Sequence, residues 1–153
     1  MTDPQPDAKL RAVLAQLRWH VHPERFVVVG LEPRERLLAL QLLPGITEPF
    51  AQFFVEPDEL TLVLAESDWR EMYPAFPHAR VLRPYRLISF DNDLPPDLVG
   101  FMAAISKALA HAGVPLLPIC GHSRDHLLVR DLDLDTALKA IATLAAGCQA
   151  PAK

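Results

Sequence analysis

Cys120, His122, Asp125 and His126 lie close together and supply a thiol, two imidazoles and a carboxylate. Two chemistries use such a set: a cysteine nucleophile with a histidine base, or a metal site. The spacing argues against both. Asp125 and His126 are neighbours on an expected strand, so their side chains point to opposite faces. His122 and His126 stand on either side of a turn, with no third or fourth ligand nearby in the chain. Cys120 follows an apolar strand, the setting of a half-buried structural thiol rather than a reactive one. The expectation is that Asp125 steadies the turn amides and His126 packs at the sheet edge. The other histidines, His20, His22, His78 and His111, read as scattered singly.

A second constellation, Asp91-Asn92-Asp93, sits in a loop before an expected helix. Unpaired N–H groups at a helix N-terminus favour an anion such as a ligand carboxylate. The carboxylates of Asp91 and Asp93, with the amide of Asn92, suit an α-ammonium. Gly100 lets a ligand or a neighbouring backbone come close. The same residues also serve as ordinary turn and cap residues, and both readings fit.

Catalytic templates are missing. The chain has no G-x-S-x-G, Walker loop, G-x-G-x-x-G or H-E-x-x-H. Asp131-Leu-Asp-Leu-Asp135 alternates with leucines and lacks the turn glycine of a calcium loop. A net charge of -4 disfavours non-specific nucleic-acid binding. The densest basic residues, Arg34, Arg36, Arg80, Arg83 and Arg86, are interleaved with apolar ones. No apolar run approaches a membrane span, and the opening MTDPQPDAKL lacks a basic, apolar leader, so a cytoplasmic protein is expected. Two cysteines are too few for a disulfide framework or a structural zinc site.

The elements that must position these residues follow from hydrophobic period. Leu10, Val13, Leu14 and Leu17 predict a helix from about Asp7 to Arg18, ended at His22-Pro23. Residues 25–30 and 36–42 read as strands. Residues 50–55 and 60–64 form a hairpin about the turn Glu56-Pro57-Asp58-Glu59, and Ser67 caps a short helix through Met72. Residues 85–90 make a strand. Pro95-Pro96 suits a helix opening, with Leu98, Phe101, Met102, Ile105 and Leu109 as its apolar stripe and Gly113 as its stop. Residues 115–120 and 125–130 pair across Gly121-His122-Ser123-Arg124. Asp133 caps a last helix that buries Leu134, Ala137, Leu138, Ile141 and Leu144. The second half thus runs βαββα, an α+β sandwich with helices on one face of an antiparallel sheet.

In that half the sequence resembles an ACT domain, the small regulatory fold that binds amino acids. The whole chain is similar to the short stand-alone bacterial tandem-ACT proteins long catalogued as of unknown function. The resemblance rests on Leu60-Thr-Leu-Val-Leu64 after its acidic turn, on Asp97-Leu-Val-Gly-Phe101 with Ala110-His-Ala-Gly-Val114, and on Gly121-His-Ser-Arg-Asp-His-Leu-Leu-Val129. It runs from about Leu10 to Leu144. It implies a ferredoxin-like (βαββαβ) ACT sandwich of two halves: a degenerate 7–76 and an ACT domain 77–147, with flexible tails 1–6 and 148–153. It also implies that a ligand meets the loop of Asp91, Asn92, Asp93, Leu94, Val99 and Gly100, facing a strand of a partner unit. Cys120, Gly121 and His122 complete the candidate ligand-binding set.

The functional expectation is a non-catalytic regulatory protein without cofactor or metal. An amino acid or similar small molecule would bind between the halves or across a homodimer. The competing expectation is a protein-interaction module that binds no small ligand, with apolar surface at Phe53 and Phe54. A third, an enzyme centred on Cys120 and His122, requires a thiol of lowered pKa.

Overall fold

The structure, a computed structural model, describes residues 8–149. Its chain divides into two compact units. One is Pro23–Arg86; the described part of the other is 8–22 with 87–149. Two long strands, β1 (Trp19–Leu31) and β4 (Arg80–Phe90), give residues to each. The division therefore differs from the one expected near Phe76, because Arg80 to Phe90 extends as a single strand through the change of unit.

Pro23–Arg86 is built as β1, helix α2 (Arg36–Leu42), strands β2 (Ala51–Val55) and β3 (Leu60–Ala65), helix α3 (Glu66–Met72) and the first part of β4. Its strands stand in the order β2-β3-β1-β4. The expected hairpin is present: β2 and β3 are antiparallel with Phe53 opposite Leu62, and β3 pairs antiparallel with β1, Val29 opposite Leu62. Alternate residues Val27, Val29 and Leu31 meet Leu60, Leu62, Leu64, Ala39, Trp69, Met72 and Phe76 in one core. Asp68 is buried beside it and accepts hydrogen bonds from Thr47 N–H (3.0 Å), Thr47 Oγ1 (2.9 Å) and Glu48 N–H (3.1 Å).

Two expectations fail in this unit. Residues 36–42 are α2, not a strand. The run Arg-Leu-Leu-Ala-Leu-Gln-Leu has no β-branched residue and consists of strong helix formers. A reciprocal cap precedes it, in which Glu35 Oε2 accepts the Glu32 N–H at 2.8 Å. Ser67 is not the cap of α3: the helix starts at Glu66, and Ala65 before it makes no side-chain cap.

The other unit holds helix α1 (Ala8–Ala15), the first residues of β1, the end of β4, helix α4 (Phe101–His111), the hairpin β5 (Leu116–Cys120) with β6 (Asp125–Arg130), and helix α5 (Leu134–Gln149). Strand order is β1-β4-β6-β5. This is the ferredoxin-like order of the first unit once the start of β1 takes the place of the fourth strand. The expected βαββα run is thus completed by residues far upstream. Ile88, Phe90, Leu127 and Val129 pack under Leu10 and Leu14 of α1, Phe101, Ile105 and Leu109 of α4, and Ala137 and Ile141 of α5. Each fully buried large side chain contributes about 1.5–3 kcal/mol.

Here the element types hold but several boundaries move. The first helix stops at Ala15, closed by tight-turn bonds from Gln16 N–H to Val13 O and from Leu17 N–H to Leu14 O. Trp19 to His22 are already strand, since the bias of a residue before proline away from helix suits extended backbone as well. Pro95 and Pro96 form a turn (Leu98 N–H to Pro95 O, 3.0 Å) rather than a helix opening, and α4 begins only after Gly100. Gly113, at φ +71°, is the expected left-handed stop. Asp133 lies in a 3-10 turn directly before α5 and accepts a 2.5 Å bond from Arg130 Nε. Cys148 and Gln149, expected in a tail, close α5, and Gln149 Nε2 donates to Ala15 O. The rest of the expected tails lies outside the described residues.

Candidate functional site

The loop from Asp91 to Gly100 joins β4 to α4 and is fastened through its first four residues. Asp91 N–H donates to Arg18 O at 2.9 Å, and Leu94 N–H to Ser123 O at 3.1 Å. Asn92 uses both ends of its amide on backbone: Oδ1 accepts from Arg18 N–H at 2.8 Å and Nδ2 donates to Gln16 O at 3.0 Å. Its side chain is a bracket holding the loop to the α1–β1 connection. Asp91 Oδ1 meets His20 Nδ1 at 2.8 Å, while the exposed Asp93 stands 3.8 Å from Arg124 Nε.

The loop ends at the start of α4. Gly100 has φ +91°, a backbone that favours glycine, and a Cβ there would lie 3.1 Å from Leu10 Cδ2, which would have to give way slightly. No side chain caps α4. Its first N–H groups carry the positive end of the helix dipole without a side-chain acceptor. Val99 beside them is exposed.

Of the expected residues, the structure brings Asp91 to Leu94 against the turn 121–124 through Leu94 and Arg124. Gly121 is fixed there by geometry, since its N–H donates to Arg124 O at 2.8 Å and a Cβ would stand 2.9 Å from that oxygen. His122 Nδ1 instead faces Ser123 Oγ at 3.0 Å. Cys120 is exposed rather than half-buried, and its partial burial, with Asp125 adding to it, pushes the thiol up. A nucleophilic cysteine needs the opposite shift, so the reading of Cys120 and His122 as a catalytic pair loses its requirement. Among the described residues no cluster of His, Cys, Asp and Glu is arranged to hold a metal ion.

Sequence reasoning missed a row of polar groups on the sheet face opposite α4 and α5. His22 Nε2 lies 2.8 Å from Ser89 Oγ, which lies 2.6 Å from His126 Nδ1; the His20 and His22 rings are 4.8 Å apart. Ser89 is buried. His126 therefore belongs to an interior strand and a shared network, not to a sheet edge, and the histidines of β1 are not isolated. Burial, then the nearby His22, depresses His126, outweighing Asp125. The available signal was alternation: Trp19 and Val21 face the core, which puts His20 and His22 together on the other face.

Among the described residues, cavities of about 600, 360 and 360 Å³ are lined wholly by residues of Pro23–Arg86.

Comparison with known proteins agrees with the fold. No curated protein matches the chain. A protein of unknown function from Vibrio cholerae, described as a possible transport protein, is 24% identical with a TM-score of 0.69, covering 89% of this chain and 95% of that one. A protein from Agrobacterium tumefaciens gives 19% identity and a TM-score of 0.69 over 84% and 89% of the two chains. The regulatory subunit of aspartate kinase from Thermus flavus gives 14%, 0.64, 82% and 95%. These likenesses are of fold. The family model described as ACT domain matches residues 80–143, the span from β4 into α5. Residues 80–143, in the second half of this chain, thus match the ACT domain.

Proposed function

We propose that the chain is a non-catalytic regulatory protein that binds an amino acid at the loop between β4 and α4. The single observation that carries this reading is the uncapped start of α4 behind Gly100, with Asp91 and Asp93 on the adjoining loop. An amino acid offers a carboxylate to the first and an ammonium to the second. The matched ACT domain and the fold shared with an aspartate kinase regulatory subunit support it. Asp91, Asp93, Leu94, Val99 and Gly100 form the proposed site with Cys120, Gly121 and His122 at its border; Asn92 acts by holding the loop. A homodimer that brings a second copy to this loop is part of the proposal. The test is a thermal-shift screen of the whole chain against the twenty amino acids. A ligand at about a hundred times its Kd adds roughly 2.7 kcal/mol. A flat screen, with light scattering showing a monomer at every concentration, would remove both parts.

A second reading has its own observation. β2 stands at the end of its strand order and exposes Phe54 and Val55, which suits pairing with another chain.

A further inference from the structure

We infer that Pro23–Arg86 contains a second ligand site, separate from the loop before α4, that takes a monocarboxylate with an aromatic or branched apolar body. The site is the cavity of about 600 Å³ between α3, the turn that follows it and the start of β4. That volume is within the usual range for small-molecule sites, about 300–1,000 Å³. Its floor is Trp69 and Phe76, both buried, their rings stacked at 6.1 Å and 15°. Tyr73 forms a wall and keeps 56% of its surface exposed, an aromatic area that packing in the chain leaves in water.

Charge decides the ligand class. Three ionic side chains line the cavity: Glu66, Arg70 and Arg83. Arg83 Nη1 stands 3.7 Å from Glu66 Oε1, so these two largely offset each other. Arg70 has no ion-pair partner among the described residues, which leaves the lining with one uncompensated positive charge. A guanidinium at the rim of an apolar cavity is matched by a carboxylate, with Arg70 as the donor and the ligand's apolar body against Trp69, Phe76 and Tyr73. A phosphate dianion would need a second free cation. A zwitterion would have to compete with Arg83 for Glu66.

The test is an NMR titration of the whole chain with 3-phenylpropanoate, following the Trp69 indole N–H, which Trp19→Phe distinguishes from the other tryptophan. L-Phenylalanine and phenethylamine are titrated alongside. The expected result is a saturable shift of Trp69 with 3-phenylpropanoate, a weaker one with L-phenylalanine and none with phenethylamine. Arg70→Gln should weaken binding about ten- to a hundredfold, as loss of a hydrogen bond to a charged group does, and Arg70→Lys by less. Tight binding of L-phenylalanine to the proposed loop cannot mimic this, because the readout is Trp69. The inference is overturned by no saturation at about 10 mM probe, by an Arg70→Gln affinity within twofold of the parent, or by L-phenylalanine shifting Trp69 at lower concentration than 3-phenylpropanoate.

Discussion

Replacing Asn92 by alanine separates a structural bracket from a ligand contact. In the structure the amide makes two bonds to backbone, 2.8 Å to Arg18 N–H and 3.0 Å to Gln16 O, and both ends of the bracket belong to one unit. A net hydrogen bond is worth about 0.5–1.5 kcal/mol, so the pair is worth about 1–3 kcal/mol. Both bonds lie near the surface, and water can replace part of them, which places the loss at about 1–2 kcal/mol. For a chain of this size that lowers Tm by about 2–8 °C. The assay is thermal unfolding without any ligand, with hydrogen exchange at the Arg18 amide as a local readout; exchange there should speed up. Asn92→Asp keeps an acceptor for Arg18 N–H but turns an oxygen toward Gln16 O, so it should not restore stability. Ligand-free stability within about 0.5 kcal/mol of the parent, the scatter of ordinary surface substitutions, with unchanged Arg18 exchange, would refute the bracket.

Other perturbations follow from the same geometry. Gly100→Ala should destabilise by at least about 1–2 kcal/mol in urea unfolding, because it combines a left-handed backbone with a Cβ crowding Leu10; a neutral effect would contradict the assigned conformation. Asp68→Ala should cost about 2–4 kcal/mol, since it leaves three donors of Thr47 and Glu48 without their buried acceptor, and a melting curve matching the parent's would count against that role. His126 is held below the ordinary histidine value of 6.5 by burial and by His22. The unfolded chain therefore binds this proton more readily, so His126's contribution should make stability fall as pH drops from 6.5 toward the folded value and level off below it. His126→Asn should flatten that part of the pH profile, and an unchanged slope would assign it to other groups. Cys120, with its thiol pushed up, should react with iodoacetamide at neutral pH no faster than a free thiol.

What the sequence revealed follows physical lines. Local periodicity found α4, α5 and both hairpins, because Phe101, Ile105 and Leu109 or Leu127 and Val129 are placed by their own element's repeat. The Leu-rich run 36–42 misled because a short apolar segment fits a strand or a helix equally well, and the deciding cap lies outside it, in Glu32 and Glu35. The strand completing the ACT-like unit was hidden for a different reason. Trp19 to His22 precede β4 by some sixty residues, and nothing local says where such a segment pairs. The candidate loop was legible as a turn before a helix, yet the work done by Asn92 was not, since its partners Gln16 and Arg18 come from the other end of the chain. The His22–Ser89–His126 row joins three strands and was invisible for the same reason.

The central claim is that a small molecule binds the loop before α4. The most direct measurement is a backbone-amide NMR map of the whole chain, titrated with each of the twenty amino acids in turn. The account predicts that at least one gives saturable shifts concentrated at residues 91–103 and 120–123, with the amides of Phe101 and Met102 among the largest. Saturable shifts confined to other surfaces, or none with any amino acid, would contradict it.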